Sequence, residues 1–249
     1  MSSLRKALVV LALAVVCSGQ TVLGNCQYNN EGGGSVHTLS CTLAVTGGSG
    51  HALIVTGSAS AGQTGCNDPT IVLVTDNGGD TFTRKTGTAW NASGSMAFMF
   101  EADDVTGGSE TVTVTYGATT YCAYPDMEVS EISGTAGFAA AMTPVTVASG
   151  FSSPVEGTLS LPGAGIVWLY SAYAGGATAT AGSGYTQISG TITNAATAYQ
   201  VFASSGTATP NVGYSSTSAA AFLLAIQIKS GASPQACAPS ISLLGAGCS

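Results

Sequence analysis

The sequence predicts an all-β protein, folded as a single large two-sheet antiparallel β-sandwich with an internal pseudo-repeat and disulfide staples. Three observations predict it. Apolar and polar residues alternate with period two along most of the chain, turn-forming residues separate the alternating runs, and the cysteines fall in couples. Glu110-Thr-Val-Thr-Val-Thr-Tyr116 shows the alternation best, with Val112, Val114 and Tyr116 on one face. Similar runs are 39–45, 52–56, 71–75, 95–101, 127–132, 165–170, 198–203 and 221–228. Asp76-Asn-Gly-Gly79 is a hairpin signal because Asn and Gly tolerate positive φ. Beyond the N-terminal segment no run has the period of a helix.

Residues 1–24 read as a secretory signal. Arg5 and Lys6 precede an uninterrupted apolar run, Ala7 to Val16, and small residues suited to cleavage follow at Gly19 and Gly24. The run is too short to span a bilayer, which needs about 20 apolar residues. Cys17 stands where bacterial lipoproteins are acylated, but Val16 occupies the place of the small residue such a site requires, so simple secretion is the leading expectation. The chain is expected outside the cell or on its surface.

Charge excludes two classes of partner. Loss of Arg5 and Lys6 takes the net charge from −7 to −9 and leaves Arg84, Lys85 and Lys229 as the basic residues. No basic patch remains to displace counterions from nucleic acid or to hold an anionic membrane. With 7% charged residues the surface must be built from Ser, Thr, Gly, Asn and Ala, yet the 45% hydrophobic content is too high for disorder.

The strand pattern occurs twice. His51-Ala-Leu-Ile-Val-Thr56, Gly79-Asp-Thr-Phe-Thr83, Met96-Ala-Phe-Met-Phe100, Thr111-Val-Thr-Val114 and Met127 to Gly134 have counterparts in the same order. These are Gly165-Ile-Val-Trp-Leu-Tyr170, Gly182-Ser-Gly-Tyr-Thr186, Ala198-Tyr-Gln-Val-Phe202, Pro210 to Tyr214 and Leu224 to Gly231. Each set closes on Ser-Gly. The halves, about 43–134 and 159–231, are joined by a segment with its own strand-like piece, Pro144-Val-Thr-Val147, and not by a polar linker. One intimately packed sandwich over 25–231 is therefore expected in preference to two separate domains. A tail, 232–249, follows.

Val74-Thr-Asp-Asn-Gly-Gly-Asp-Thr-Phe82, Asp104 to Tyr116 and Val129-Ser-Glu-Ile-Ser-Gly134 resemble a group of largely uncharacterised secreted bacterial surface proteins. Their modules are immunoglobulin-like or jelly-roll-like β-sandwiches. The resemblance runs from about Leu43 to Gly231 and implies fold and export, with no catalytic residue to carry over.

Six cysteines follow the signal. Nearest-neighbour pairing gives Cys26–Cys41, Cys66–Cys122 and Cys237–Cys248, the last closing the tail, although six cysteines admit fifteen pairings. In the loop-entropy picture the first two would contribute about 3 and about 4 kcal/mol. No Cys-x-x-Cys pair or nearby histidine supports zinc. The loops around Cys66 and Cys122 lack counterparts in the second half, so a binding face is first expected there.

Candidate sites are sparse. His37 and His51 are the two histidines, and without Gly-x-Ser-x-Gly or a free thiol His51 reads as a surface turn residue after Gly47-Gly-Ser-Gly50. Asp76, Asp80, Asp103 and Asp104 cluster in turns, as Ca²⁺ ligands do, though Asp in a turn also bonds its own backbone. Glu131 shares a face with Met127 and Val129 and should point inward, where backbone donors or Arg84 would satisfy it. Trp90, Tyr121 and Tyr124 are the loop aromatics that could stack on a sugar, whereas Trp168 belongs to a core strand.

These features favour an exported non-enzymatic protein of surface architecture or adhesion, with homo-assembly or another surface protein as partner. The alternatives are a carbohydrate-binding module using loop aromatics with Ca²⁺, and a polysaccharide-active enzyme. No other cofactor is expected.

Overall fold

A computed structural model describes residues 19–29, 37–60, 66, 68–90, 95–117, 122–188 and 194–231. Its strands form five sheets, and every pairing is antiparallel. In the first half an inner sheet runs in the order β1 (Thr21–Asn29), β8 (Ala123–Ser133), β3 (His51–Ser60), β6 (Met96–Asp103), β5 (Thr83–Ala89). Its outer sheet is β2 (Thr38–Val45), β7 (Gly108–Tyr116), β4 (Val72–Thr75). Thr21–Gly24, grouped with the signal in the sequence reading, are the first residues of β1.

The second half follows the same plan. Its inner sheet is β10 (Val145–Val147), β19 (Ala221–Ser230), β13 (Gly165–Tyr173), β16 (Ala195–Phe202), β15 (Thr186–Gln187), with β9 (Thr135–Ala141) also on β19. The outer layer is split between β11 (Val155–Glu156), β18 (Asn211–Tyr214), β14 (Ala179–Ala181) and the pair β12 (Leu159–Leu161), β17 (Gly206–Ala208). The order β8-β3-β6-β5 thus recurs as β19-β13-β16-β15.

The all-β class and antiparallel pairing agree with expectation; the single pair of sheets does not. Each half closes a core of its own. Leu53, Phe98, Met127 and Val129 of the first inner sheet meet Leu43, Val112, Val114 and Tyr116 of its outer sheet. Val167, Leu169 and Leu223 meet Leu159, Val212 and Tyr214 in the second half. A third core then joins the backs of the two inner sheets, with Ile54, Met99 and Ile132 against Trp168, Tyr170, Phe222 and Ile226. The molecule is two sandwiches back to back, four layers deep.

The physical reason lies in the inner strands. β7 alternates buried and half-exposed, as a strand with one wet face must, but all nine residues of β13 are buried. A strand covered on both faces cannot alternate, so Gly165–Tyr170 reads as one apolar run.

The third core also holds polar groups. Tyr170 donates from its hydroxyl to Asp126 Oδ1 at 2.6 Å, and Ser58 donates to the same carboxylate from its amide and hydroxyl. Gln27 Nε2 donates to Glu128 Oε2 at 2.6 Å. Burial pushes Asp126 up to about 6 and Glu128 up to about 7, against the opposing effect of these donors.

Among the described residues two disulfides are formed, Cys26–Cys41 between β1 and β2, and Cys66–Cys122 between the segments after β3 and before β8. Cys237, Cys248 and the 232–249 tail lie outside the described residues.

Candidate functional site

Where the two halves meet, the start of β3, the end of β6, the turn from β8 to β9 and the end of β19 enclose a cleft of about 680 Å³. That size suits a small ligand. The closing Ser-Gly elements of the two halves touch here, Gly231 N–H donating to Gly134 O at 2.8 Å. Ser49, His51, Asp103, Asp104 and Gly137 line it.

Glu131 organises one wall. Its fully buried carboxylate accepts Thr46 N–H on both oxygens, at 3.1 and 3.0 Å, and Gly47 N–H at 3.0 Å. It also accepts His51 Nδ1 at 2.7 Å. The Gly47–Gly50 loop is therefore folded around Glu131, and its glycines permit positive φ at 47, 48 and 50. An ionised carboxylate only accepts, so in this pair Nδ1 of His51 carries the proton. Glu131 is satisfied by backbone donors, as expected; its histidine partner was not foreseen, and Arg84 is not among its hydrogen-bond partners.

The two exposed acids at the cleft are placed differently. Asp104 lies at φ 51°, with Oδ1 accepting Gly50 N–H at 2.8 Å. The Asp103 carboxylate lies over Gly137, where an added Cβ would come within 3.2 Å of Oδ2. One step inward on β6, Glu101 is buried beside Lys85 Nζ at 3.3 Å. Burial first, then the Asp103 charge, raises it to about 7, while Lys85 pulls the other way. The cleft lining carries two carboxylates and an imidazole and no Phe, Tyr or Trp among the described residues.

The four aspartates proposed for Ca²⁺ fall into two separate places. Asp103 and Asp104 line the cleft. Asp76 and Asp80 belong to the turn between β4 and β5. There Asp76 Oδ1 accepts Gly79 N–H and Asp80 N–H, and Asp80 accepts Thr106 N–H and hydroxyl. Glu110, which was not among the four aspartates proposed for Ca²⁺, joins Asp76 and Asp80, whose charges act on it. Among the described residues no three His, Cys, Asp or Glu side chains are grouped to hold a metal ion.

The aromatic platform does not form as expected. Trp90 is 3% exposed and packs on Phe222, ring centroids 4.8 Å apart, within the third core. Tyr124 is 56% exposed, at φ 49°; Tyr121 lies outside the described residues. Trp168 is buried and stacked on Tyr199, as a core residue should be. The Cys66–Cys122 end, where a binding face was first expected, is separated from the cleft by the length of β3, about 30 Å.

Glu131→Gln is expected to lower folding stability by about 2–3 kcal/mol, because an amide cannot accept from Thr46, Gly47 and His51 together. Denaturant melts will read this; unchanged stability would mean that the loop is not held by Glu131.

No family model matches the chain, and no curated protein matches it. No helix among the described residues is long and apolar enough to cross a membrane.

Proposed function

We propose that the chain is an exported, non-enzymatic β-sandwich protein of surface architecture or adhesion. The third core carries this reading. It joins two sandwiches through Trp90, Trp168, Tyr170, Phe222 and their neighbours, so the halves resist the relative motion that cleft closure would use. The wet face of β2 and β7 supports it, with hydroxyl pairs such as Ser40–Thr113 and Thr42–Thr111 in place of charges. Disulfides suit persistence outside the cell.

Contact with a second copy or a surface partner has a starting point at β4, an edge strand. Leu73 is 57% and neighbouring Ile71 38% exposed there. Sedimentation velocity and negative-stain microscopy across a wide concentration range should show assembly that Leu73→Lys weakens. A protein that stays monomeric throughout and adheres to no cell surface defeats the proposal.

One observation favours a second reading, glycan binding: the acceptor-lined cleft at His51 and Asp103. It predicts retention on insoluble polysaccharide that Asp103→Asn abolishes and Tyr124→Ala does not. Equal retention of wild type and Asp103→Asn removes the cleft from that reading.

A further inference from the structure

The turn after β4 carries a charge problem that the described side chains leave unsolved. Glu110 is 3% exposed, and its Oε2 has no hydrogen-bond partner. Asp76 Oδ2 is also shut away from solvent without a partner. The charges acting on Glu110 are those of Asp76 and Asp80, both of its own sign and offset only in part by the Gly78 N–H, and neither described ion pair involves these acids. A buried carboxylate oxygen without a donor costs several kcal/mol, and a second nearby makes matters worse.

The surroundings are nonetheless built and held. Asp80 clamps Thr106, Asn77 Nδ2 donates to Ser109 O at 3.1 Å, and Thr111 N–H donates to Asn77 Oδ1 at 2.6 Å. The turn is thus fastened to both ends of the β6–β7 connection. Gly78 lies directly against the orphan oxygen, since a Cβ there would stand 2.8 Å from Glu110 Oε2.

We propose that Asp76 and Glu110 hold a hard divalent cation, Ca²⁺, through the two buried oxygens that nothing else in the turn satisfies. The donors are oxygen alone, with neither histidine nor cysteine, which suits Ca²⁺ and not zinc. Asp80 is committed to Thr106, so two carboxylates take part, and water and backbone carbonyls complete the shell. Two carboxylates make a weak site, in the range of extracellular modules, about 10⁻⁴–10⁻³ M. The site differs from the one expected on sequence: Asp76 remains, and Glu110 replaces Asp80, Asp103 and Asp104.

The test is calorimetry on the secreted protein, first treated with chelator, then given CaCl₂ or NaCl at matched ionic strength. Calcium at about ten times the dissociation constant should raise Tm by about 3–6 °C, and NaCl should not. Glu110→Gln should abolish the response, and Asp103→Asn should keep it. If Glu110→Gln does not fold, Asp76→Asn takes its place, and isothermal titration of wild type with CaCl₂ should still count one ion. A wild-type Tm indifferent to calcium overturns the proposal, as does a response that survives loss of either carboxylate. The rival arrangement, a proton shared by Asp76 and Glu110, would show as a Tm that ignores calcium and whose gain on acidification is smaller in Glu110→Gln than in wild type.

Discussion

Trp90→Ala is expected to cost about 3–5 kcal/mol of folding stability, the usual range for emptying a buried aromatic site. The indole is 3% exposed and packs against Phe222 between the two sandwiches, so its removal opens a cavity where the halves are joined. Phe222 also packs on Tyr170 at 5.3 Å, so the cavity cannot close without disturbing the groups around Asp126. Trp90→Phe separates volume from polarity. Trp90 Nε1 has no hydrogen-bond partner, so phenylalanine sacrifices no bond and should recover most of the loss. Denaturant melts of the three proteins give the comparison. A cost below about 1 kcal/mol for Trp90→Ala would place the ring in solvent and refute the third core at that point.

The fate of Trp90 shows how much of the molecule was legible in the sequence. Strand class and order could be read because β2 and β7 each keep one wet face, which leaves alternation in the residues. The repeat could be read because both halves solve the same packing problem in the same order. The stacking of the halves could not. A two-sheet sandwich turns every second residue to solvent; Asp126, Glu128 and Ser130 alternate with the inward Met127 and Val129, and Trp90 was expected in an exposed loop. The structure covers that face with a second sandwich and buries all four. The unbroken apolar runs at Met96–Phe100 and Gly165–Tyr170 carried this information, since only a strand covered on both sides needs them.

The candidate sites depended on register, which sequence spacing does not supply. Glu131 faces inward by parity alone, and that much was readable. Its histidine lies 80 residues away and meets it because β3 pairs with β8, with Leu53 opposite Glu131. Glu110 reaches the Asp76 turn because β4 pairs with β7, Thr75 opposite Thr113. Asp103 and Asp104, closer in sequence to Glu110 than Asp76 is, go instead to the cleft.

Stability is expected to fall as pH rises from about 4 to about 7, opposite to the usual behaviour of salt-bridged carboxylates. Asp126 and Glu128 are raised from 3.8 and 4.5 to about 6 and about 7 by burial between the sandwiches. Unfolded, both ionise near their ordinary values; folded, both hold their protons longer. Between those limits the native state binds more protons, so the stabilisation is complete below about 4 and is lost as pH passes 6 to 7. At 1.36 kcal/mol per unit, and with the donors from Gln27, Ser58 and Tyr170 already included, a rise of somewhat more than two for each group makes the combined loss about 6 kcal/mol. Glu101, raised to about 7, acts in the same direction. Glu128→Gln keeps an oxygen to accept from Gln27 and removes the charge, so it should flatten much of the slope and raise Tm at pH 8. Thermal melts from pH 4 to pH 8 decide it. A Tm that is level or climbs with pH would mean that these carboxylates are ionised in the fold, and would contradict an apolar junction around them.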